Sequence, residues 1–492
     1  MSAFSNLLRY SVWNFSALVI PLFVGLATIP WLLHEIGIER FGVLTIMWAI
    51  IGYFSLFDFG VSKALTKKLA EGREQLNLQS QRDVFWTAIQ LMAGLGLLGF
   101  LVLLFLLGLD NSLVRVSSHI QKEVDQASLI VAVFIPIVVV SAGLRGTLEA
   151  YEKFRETNIL RLALGVWMYL APAVAGGLGY ASLPQMAMIL VLGRVAAAIA
   201  SWRLVTQTMS GLGSPVFVRD QVRPLFAFGA WITVSGIVGP LMTYLDRFWV
   251  AASVGAMAVA YYATPQDVAT KLFFLPIAIN AALLPMISRQ LAMPANERGE
   301  VDGLLIKSIW LGLLCIAPFC AAMLMFPSEL LTLWLGVDFA THGSVVIQVF
   351  GIGVFFNVIG IVLVSFLYAS GQPSWVARLH LVELPLYFIA IHFSLSAFGF
   401  IGVAGVWSAR ILVDTLFLWH FTVKLLPVMR AHAMKLISVI SFFCVFVVSS
   451  AQYPHLYIKL PLFALLCSGM SYLAYQLLFR KPMRIYRHEP GS

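Results

Sequence analysis

Residues Leu225–Met286 read LFAFGAWITVSGIVGPLMTYLDRFWVAASVGAMAVAYYATPQDVATKLFFLPIAINAALLPM. Two apolar runs, about 225–250 and 257–286, flank the small residues around Gly255. Each exceeds the roughly 20 residues that carry a helix across the hydrocarbon core of a bilayer. In lipid, backbone N–H and C=O groups find partners only within such a helix. Four charges interrupt the stretch, Asp246, Arg247, Asp267 and Lys271. The stretch therefore predicts a hairpin of two membrane-spanning helices with a few charges placed inside it.

The rest of the 492-residue chain repeats this pattern. Apolar runs at 10–33, 42–62, 84–108, 127–148, 160–180, 185–206, 225–250, 257–286, 304–326, 344–369, 377–397, 400–421, 435–452 and 460–479 predict about fourteen spans. The first is too long for a signal-peptide core and has no small-residue cleavage pattern after it, so it is expected to be an uncleaved span. With the N-terminus inside, twenty-four of the 32 lysines and arginines fall in cytoplasmic segments. Only Arg40, Arg115, Lys122, Arg247 and Lys459 fall outside, and Arg194, Lys271 and Arg410 lie within spans. Basic residues collect on the cytoplasmic side, so the bias predicts both termini inside.

Composition excludes the soluble classes. Hydrophobic residues make up 60% and charged residues 11%, with a mean hydropathy of +0.90, against roughly 45–50% and 25% in soluble domains. The net charge of +9 follows from the loop bias and implies no nucleic-acid partner, because no water-facing basic domain exists to bind one. Loops are too short for a catalytic domain, so a transporter is expected rather than an enzyme. Cys315, Cys320, Cys444 and Cys467 lie in apolar runs, where neither a disulfide framework nor a zinc site belongs. The run from Gly94 to Gly99 matches a dinucleotide fingerprint only by letter; inside an apolar helix, small residues point to close helix packing. No cofactor is expected.

An internal duplication accompanies the spans. A shift of 218 residues superposes Trp13 on Trp231, Gly37 on Gly255 and Ala64-Leu65 on Ala282-Leu283. An even number of spans separates the copies, so the halves share one orientation about an axis along the membrane normal. The expected organisation is an N-terminal bundle at 1–223, a C-terminal bundle at 224–423, and two further spans with a basic tail at 424–492.

A charge near the bilayer centre costs a few kcal/mol and is a functional candidate. Asp267 and Lys271, like Arg410 and Asp414, are four residues apart and share a helix face. Each pair either neutralises itself and glues helices or lines a cavity. Arg194 has no acidic residue within a turn or two, so another helix (Glu383 or Asp58), water or an anionic ligand must meet its charge. Asp246 and Arg247 are adjacent and point in different directions, with one expected to face the interior. Glu383, on a span with Arg378, His380 and His392, is either a proton relay or a solvated mouth residue. Asp58, near the cytoplasmic end of the second span, is expected to pair with Lys63 or a neighbouring loop. Prolines 21, 30, 240, 265, 276 and 285 punctuate the presumed cavity helices.

Several segments together resemble a known family. They are Trp231-Ile232-Thr233-Val234-Ser235, Gly239-Pro240-Leu241, Tyr244-Leu245-Asp246-Arg247-Phe248, Tyr261-Tyr262 with Thr264-Pro265, and Lys271-Leu272. Earlier come Gly37 with Phe41-Gly42, Asp58-Phe59-Gly60 with Ala64-Leu65-Thr66 and Ala70-Glu71, and Gly146-Thr147-Leu148-Glu149-Ala150 with Phe154 and Asn158. Over residues 10–290 the chain is similar to bacterial polysaccharide transporters, the Wzx-type flippases of the multidrug/oligosaccharidyl-lipid/polysaccharide (MOP) exporter superfamily. The resemblance implies an all-α integral membrane fold of two pseudo-symmetric six-helix bundles around a central cavity plus two C-terminal helices. It implies movement of undecaprenyl-diphosphate-linked oligosaccharide (an O-antigen, capsule or exopolysaccharide unit) to the outer leaflet of the bacterial inner membrane. Membrane lipids and glycan polymerase machinery are the other implied partners. By position, Asp246, Arg247 and Lys271 match charged sites typical of the family. Arg194 and Arg410 rest on the cavity argument alone.

The chemistry is coherent. A diphosphate with a sugar head cannot cross hydrocarbon unaided, and buried cations bind phosphate through charge-assisted hydrogen bonds. Arg194 and Lys271 are the expected diphosphate ligands. Three other readings compete: a drug exporter of the same superfamily, whose cavity should be acidic; a lipid II flippase; and a membrane-embedded glycan polymerase or ligase, which would need a large outer loop.

Overall fold

The structure is a computed structural model that describes residues 3–55, 57–74, 78–109, 114–209, 212–227, 230–293, 301–453 and 455–479. Arg298 and the tail residues Arg480, Lys481, Arg484 and Arg487 lie outside these, as do the side chains of Arg9, Arg73, Trp231, Pro240, Ala282, Leu283 and Pro285. Among the described residues every regular element is a helix. In order they are α1 (Ala3–Ile36), α2 (Ile38–Phe54), α3 (Val61–Glu74), α4 (Leu78–Leu109), α5 (Ser118–Val133) and α6 (Ile135–Ala150). Next come α7 (Phe154–Gly177), α8 (Leu183–Thr208), α9 (Arg219–Ala227), α10 (Ala230–Ser253), α11 (Ala256–Lys271) and α12 (Phe274–Ala292). The last are α13 (Val301–Met325), α14 (Pro327–Leu335), α15 (Val337–Ala369), α16 (Pro373–Leu425), α17 (Met429–Ala451) and α18 (Leu456–Phe479).

Among the described residues, ten helical runs are long and apolar enough to cross a membrane. One of them, α16, runs for 53 residues and contains two expected spans, parted at Gly399 with φ 61°. With α2, α10 and the α11–α12 pair, all fourteen expected spans have helical counterparts. The chain is a multi-pass membrane protein.

Prolines and glycines explain where helices and expected spans part company. Pro136 and Pro276 lack the N–H that would bond to the carbonyl four residues earlier, and the helix breaks just before each, at Phe134 and at Leu272–Phe273. Pro21, Pro30, Pro265 and Pro318 instead lie inside continuous helices. The expected second span, 42–62, stops at Phe54. The chain then turns through Phe59 and Gly60, both in the left-handed region, and restarts as α3. Asp58 caps that restart: its carboxylate accepts from the backbone N–H of Gly60 and of Ser62, each at 3.1 Å. Such a cap satisfies donors left open at a helix start.

Two compact units emerge, and each is considered by itself. The first comprises Met1–Lys271, Leu331–Val346 and Pro373–Trp407; the second comprises Leu272–Leu330, Ile347–Gln372 and Ser408–Ser492. Thus α10 and α11 group with the N-terminal helices, whereas the sequence reading starts a second bundle at residue 224.

Within the first unit, small residues set the helix contacts. A Cβ on Gly96 would stand 2.5 Å from Pro136 Cα, and one on Gly99 would stand 2.6 Å from the Phe54 ring. The glycine run in α4 is therefore a packing surface. Val61, Leu65, Phe85, Met92, Val139 and Leu148 form a core beside it. In the second unit, α12 to α15 meet through Gly312 against Val358 and through Asn280 Nδ2, which donates to the Ile361 carbonyl and the Ser365 hydroxyl.

Candidate substrate-binding site

The α10–α11 hairpin reverses at Gly255, whose φ of 118° suits only glycine without strain. The reversal sets the end of α10 beside α11, and the charges foreseen in the two helices meet. Arg247 donates from Nη2 to Asp267 Oδ1 at 2.5 Å and from Nε to Gln266 Oε1 at 2.7 Å. Asp246 accepts from the Tyr262 hydroxyl at 2.5 Å, from Gln266 Nε2 at 2.8 Å and from the Arg247 backbone N–H at 2.8 Å. Tyr387 of α16 approaches the same carboxylate at 3.5 Å. Asp246 is 0% and Arg247 2% exposed. Both residues thus face inward, where the sequence reading expected one, because α11 supplies polar partners to each.

This arrangement changes the expected pairing. Asp267 bonds to Arg247, twenty residues back across the hairpin, and not to Lys271 one turn along its own helix. Lys271 is exposed, and among the described residues no carboxylate lies within ion-pair distance of it. It lines a narrow cleft of about 20 Å³ with Asp267, Thr264, Trp48, Tyr169 and Trp334. The cleft lies between α1, α2, α7 and α11, with the start of its aromatic wall set by Gly25, whose missing side chain lets the Tyr169 ring sit 3.4 Å from where a Cβ would be.

Arg194 occupies a second, smaller crevice of about 10 Å³ with Trp48, Ile51, Leu164, Trp167 and Met168. Its neighbour Gly193 lets α8 close on Trp167, whose indole N–H donates to the Ile189 carbonyl at 2.8 Å. Among the described residues Arg194 meets no carboxylate, neither Asp58 nor Glu383. Among the described residues, two of the three cations within spans therefore have no acid at ion-pair distance, which is the arrangement that attracts an anion.

The remaining candidates lie elsewhere. Glu383 is buried on the part of α16 that belongs to the first unit; Arg410 is half-buried and Asp414 buried on the part that belongs to the second. Asp58 is a helix cap, as described above. The sequence reading did not pick out Gln266, Tyr387, Trp48 or Tyr169, and it named Tyr262 and Thr264 only within the segments that resemble the family. A glutamine inside an apolar run was the one visible signal for Gln266; nothing local marked the others.

A polytopic helical chain with charges and clefts inside its helices has the architecture of a membrane transporter. Comparison with solved structures agrees on the fold. A TM-score of 0.69 at 12% identity, covering 86% of this chain and 99% of the other, relates it to an inward-facing multidrug resistance MATE family transporter of the MOP superfamily. A TM-score of 0.68 at 15% identity, covering 96% and 100%, relates it to the lipid II flippase MurJ in an inward closed conformation. Residues 7–291 match the polysaccharide biosynthesis protein family, and residues 232–393 match the MatE family. The chain belongs to the polysaccharide biosynthesis protein family. It is 29% identical to a putative O-antigen transporter of Shigella flexneri, over 85% of this chain and 98% of that protein. It is 23% identical to a probable low-salt glycan biosynthesis flippase, Agl15, of Haloferax volcanii, over 85% and 83%.

Proposed function

We propose that this protein is a flippase for lipid-linked oligosaccharide. It carries an undecaprenyl-diphosphate-linked repeat unit of an O-antigen, capsule or exopolysaccharide from the cytoplasmic to the outer leaflet of a bacterial inner membrane, with both termini cytoplasmic. The observation that supports this reading most is the pair of cations without acidic partners, Arg194 and Lys271. A charge carried within a membrane span is costly unless something meets it. A diphosphate has charge enough to answer both, whereas an organic cation would be repelled. The relatives named for O-antigen and glycan transport support the same substrate class.

Arg194 and Lys271 hold the diphosphate. Arg247, Asp246 and Asp267 shape the hairpin that presents Lys271, and their charges cancel among themselves. Arg410, Asp414 and Glu383 act as further charge partners or in ion coupling. The pseudo-symmetric halves at 1–223 and 224–423 rock to switch access, with 424–492 appended. No covalent chemistry is required, so the protein is a transporter and not an enzyme. The polymerase that consumes the exported unit is its functional partner.

The test is complementation. In a strain lacking its own flippase, the wild-type chain restores surface glycan and clears the lipid-linked intermediate from the inner leaflet. Combining Arg194→Gln with Lys271→Met removes two charge-assisted contacts, each worth about 1.5–3 kcal/mol, and lowers export by at least about 100-fold. Unchanged export in that double variant would refute the assignment.

A further inference from the structure

In the second unit, α17 and α18 both pack on α13 and much less on each other. The gap between them is a groove of about 520 Å³, walled by Trp310, Leu314, Phe355, Val439, Phe443 and Leu473. Cavities of roughly 300–1,000 Å³ take small amphiphilic ligands. Phe355 and Phe443 stack with ring centroids 4.6 Å apart and form the deep end. From Lys435 to Phe443 the α17 wall runs eight residues, about 12 Å of helix. That is close to the depth of one leaflet, half of the roughly 30 Å hydrocarbon core.

The mouth of the groove is polar and basic. His432, Lys435 and Ser438 line it from the first turns of α17. Two of these are occupied: His432 Nε2 faces Asp302 Oδ2 at 3.8 Å, and the Ser438 hydroxyl donates to the Met434 carbonyl at 2.8 Å. Lys435 is exposed, and among the described residues no carboxylate lies within ion-pair distance of it. The Asp302 contact also shows that α13 and α17 begin at the same end. On α13, Lys307 precedes Trp310 by three residues and Leu314 by seven, so it shares their face, on the groove side. It too is exposed, and among the described residues it has no carboxylate at ion-pair distance. An apolar trough one leaflet deep therefore lies beneath two lysines that no acid answers. Their end of the helices is the one expected to face the cytoplasm, where the membrane surface carries anionic lipid.

We infer that this groove is a binding site for an acidic glycerophospholipid of the phosphatidylglycerol class. One acyl chain fills the trough down to the Phe355–Phe443 stack, and the headgroup phosphate sits at Lys435 with Lys307 beside it. A zwitterionic lipid has no net charge to answer the lysines, and a polyprenyl carrier tail outruns a groove that ends at the stack. Seated there, the lipid joins α17 and α18, which touch little themselves, to α13. The inference stands on the multi-pass fold and the charge bias and is independent of the glycan substrate.

The test places the full-length chain in phosphatidylcholine vesicles and titrates in phosphatidylglycerol with brominated acyl chains, which quench nearby tryptophan. Trp310 lines the groove, so the quenching that disappears in Trp310→Phe reports its occupant. Half-saturation should come at a low fraction of phosphatidylglycerol. Lys435→Gln should raise that fraction about five-fold, the equivalent of one basic residue at an anionic surface, and Lys307→Gln should raise it in the same direction. Brominated phosphatidylcholine should quench Trp310 weakly and equally in all three chains. A lipid that binds only the folded chain stabilises it, so phosphatidylglycerol should raise the melting temperature of wild type more than that of Lys435→Gln. Both lysines are exposed, and melts without added phosphatidylglycerol identify a variant that fails to fold. Equal quenching by the two lipids with no response to either substitution would overturn the site. So would undecaprenyl phosphate displacing the quencher at equimolar protein, which would make the carrier the occupant, or a dimer that shields Trp310 from both lipids. Failure of glycan export in a flippase-null strain would overturn the flippase reading and leave this one standing.

Discussion

Arg247 and Lys271 lie on adjoining helices and look alike in sequence, yet they have opposite circumstances. Arg247 is bound by Asp267 and Gln266 and lies over the Tyr244 ring at 5.8 Å. Removing one member of a buried ion pair strands the other, at a cost of about 3–5 kcal/mol. Asp267→Ala and Arg247→Ala should therefore lower the unfolding temperature sharply, and Arg247→Met combined with Asp267→Leu should recover most of the loss. Thermal melts of the purified protein measure this. Lys271→Met leaves no buried carboxylate unpaired, so its melt should match wild type while transport falls. Other basic residues expected on the outer side are also held. Arg40 donates twice to Glu123, at 2.7 and 3.0 Å, and Lys459 donates to Glu329 at 3.0 Å. Which cations are spoken for was illegible in the sequence, because an ion pair joining residues 40 and 123 leaves no local trace.

Helices meet closely where a glycine permits it. A Cβ at Gly42 of α2 would stand 1.9 Å from the Ala256 carbonyl oxygen of α11, closer than any real contact. Gly42→Ala must push the two helices apart, and it should destabilise the protein by more than about 1 kcal/mol, read as a lower melting temperature. Beside this contact, the segment before α5 is fastened to the α10–α11 turn. The Arg115 N–H donates to the Ala251 carbonyl at 3.0 Å, the Ala256 N–H donates to the Arg115 carbonyl at 3.0 Å, and Arg115 Nη1 reaches the Ser253 carbonyl at 2.9 Å. These links join helices of the two expected halves at the end expected to face outward. The glycines were visible in the sequence, and those in α4 announced packing; their partners were not.

For the molecule as a whole, fourteen spans with basic residues gathered on one side predict a testable topology. In a variant without its four native cysteines, a cysteine at Lys67 should be labelled by a membrane-impermeant thiol reagent only after the membrane is opened, and one at Lys122 in intact spheroplasts. The reverse pattern would invert the proposed direction of transport. Much of this scale was legible from residues alone. Apolar run length and the lysine and arginine bias report each segment's fit to a slab of hydrocarbon, a solvent that acts on each stretch of chain separately. Pro276 was visible as a possible break, but Pro265 lacks the same N–H inside an unbroken helix, so packing decided which proline parts a span. The pairing of charges was different. Spacing of four suggested that Asp267 would answer Lys271, and the fold instead turned the hairpin at Gly255 so that Asp267 answered Arg247. That choice releases Lys271 toward the cleft, and the cleft itself gathers Trp48, Tyr169 and Thr264 from α2, α7 and α11. Side chains so far apart along the chain are brought together by the sum of helix contacts, a long-range energy that no local window of sequence contains.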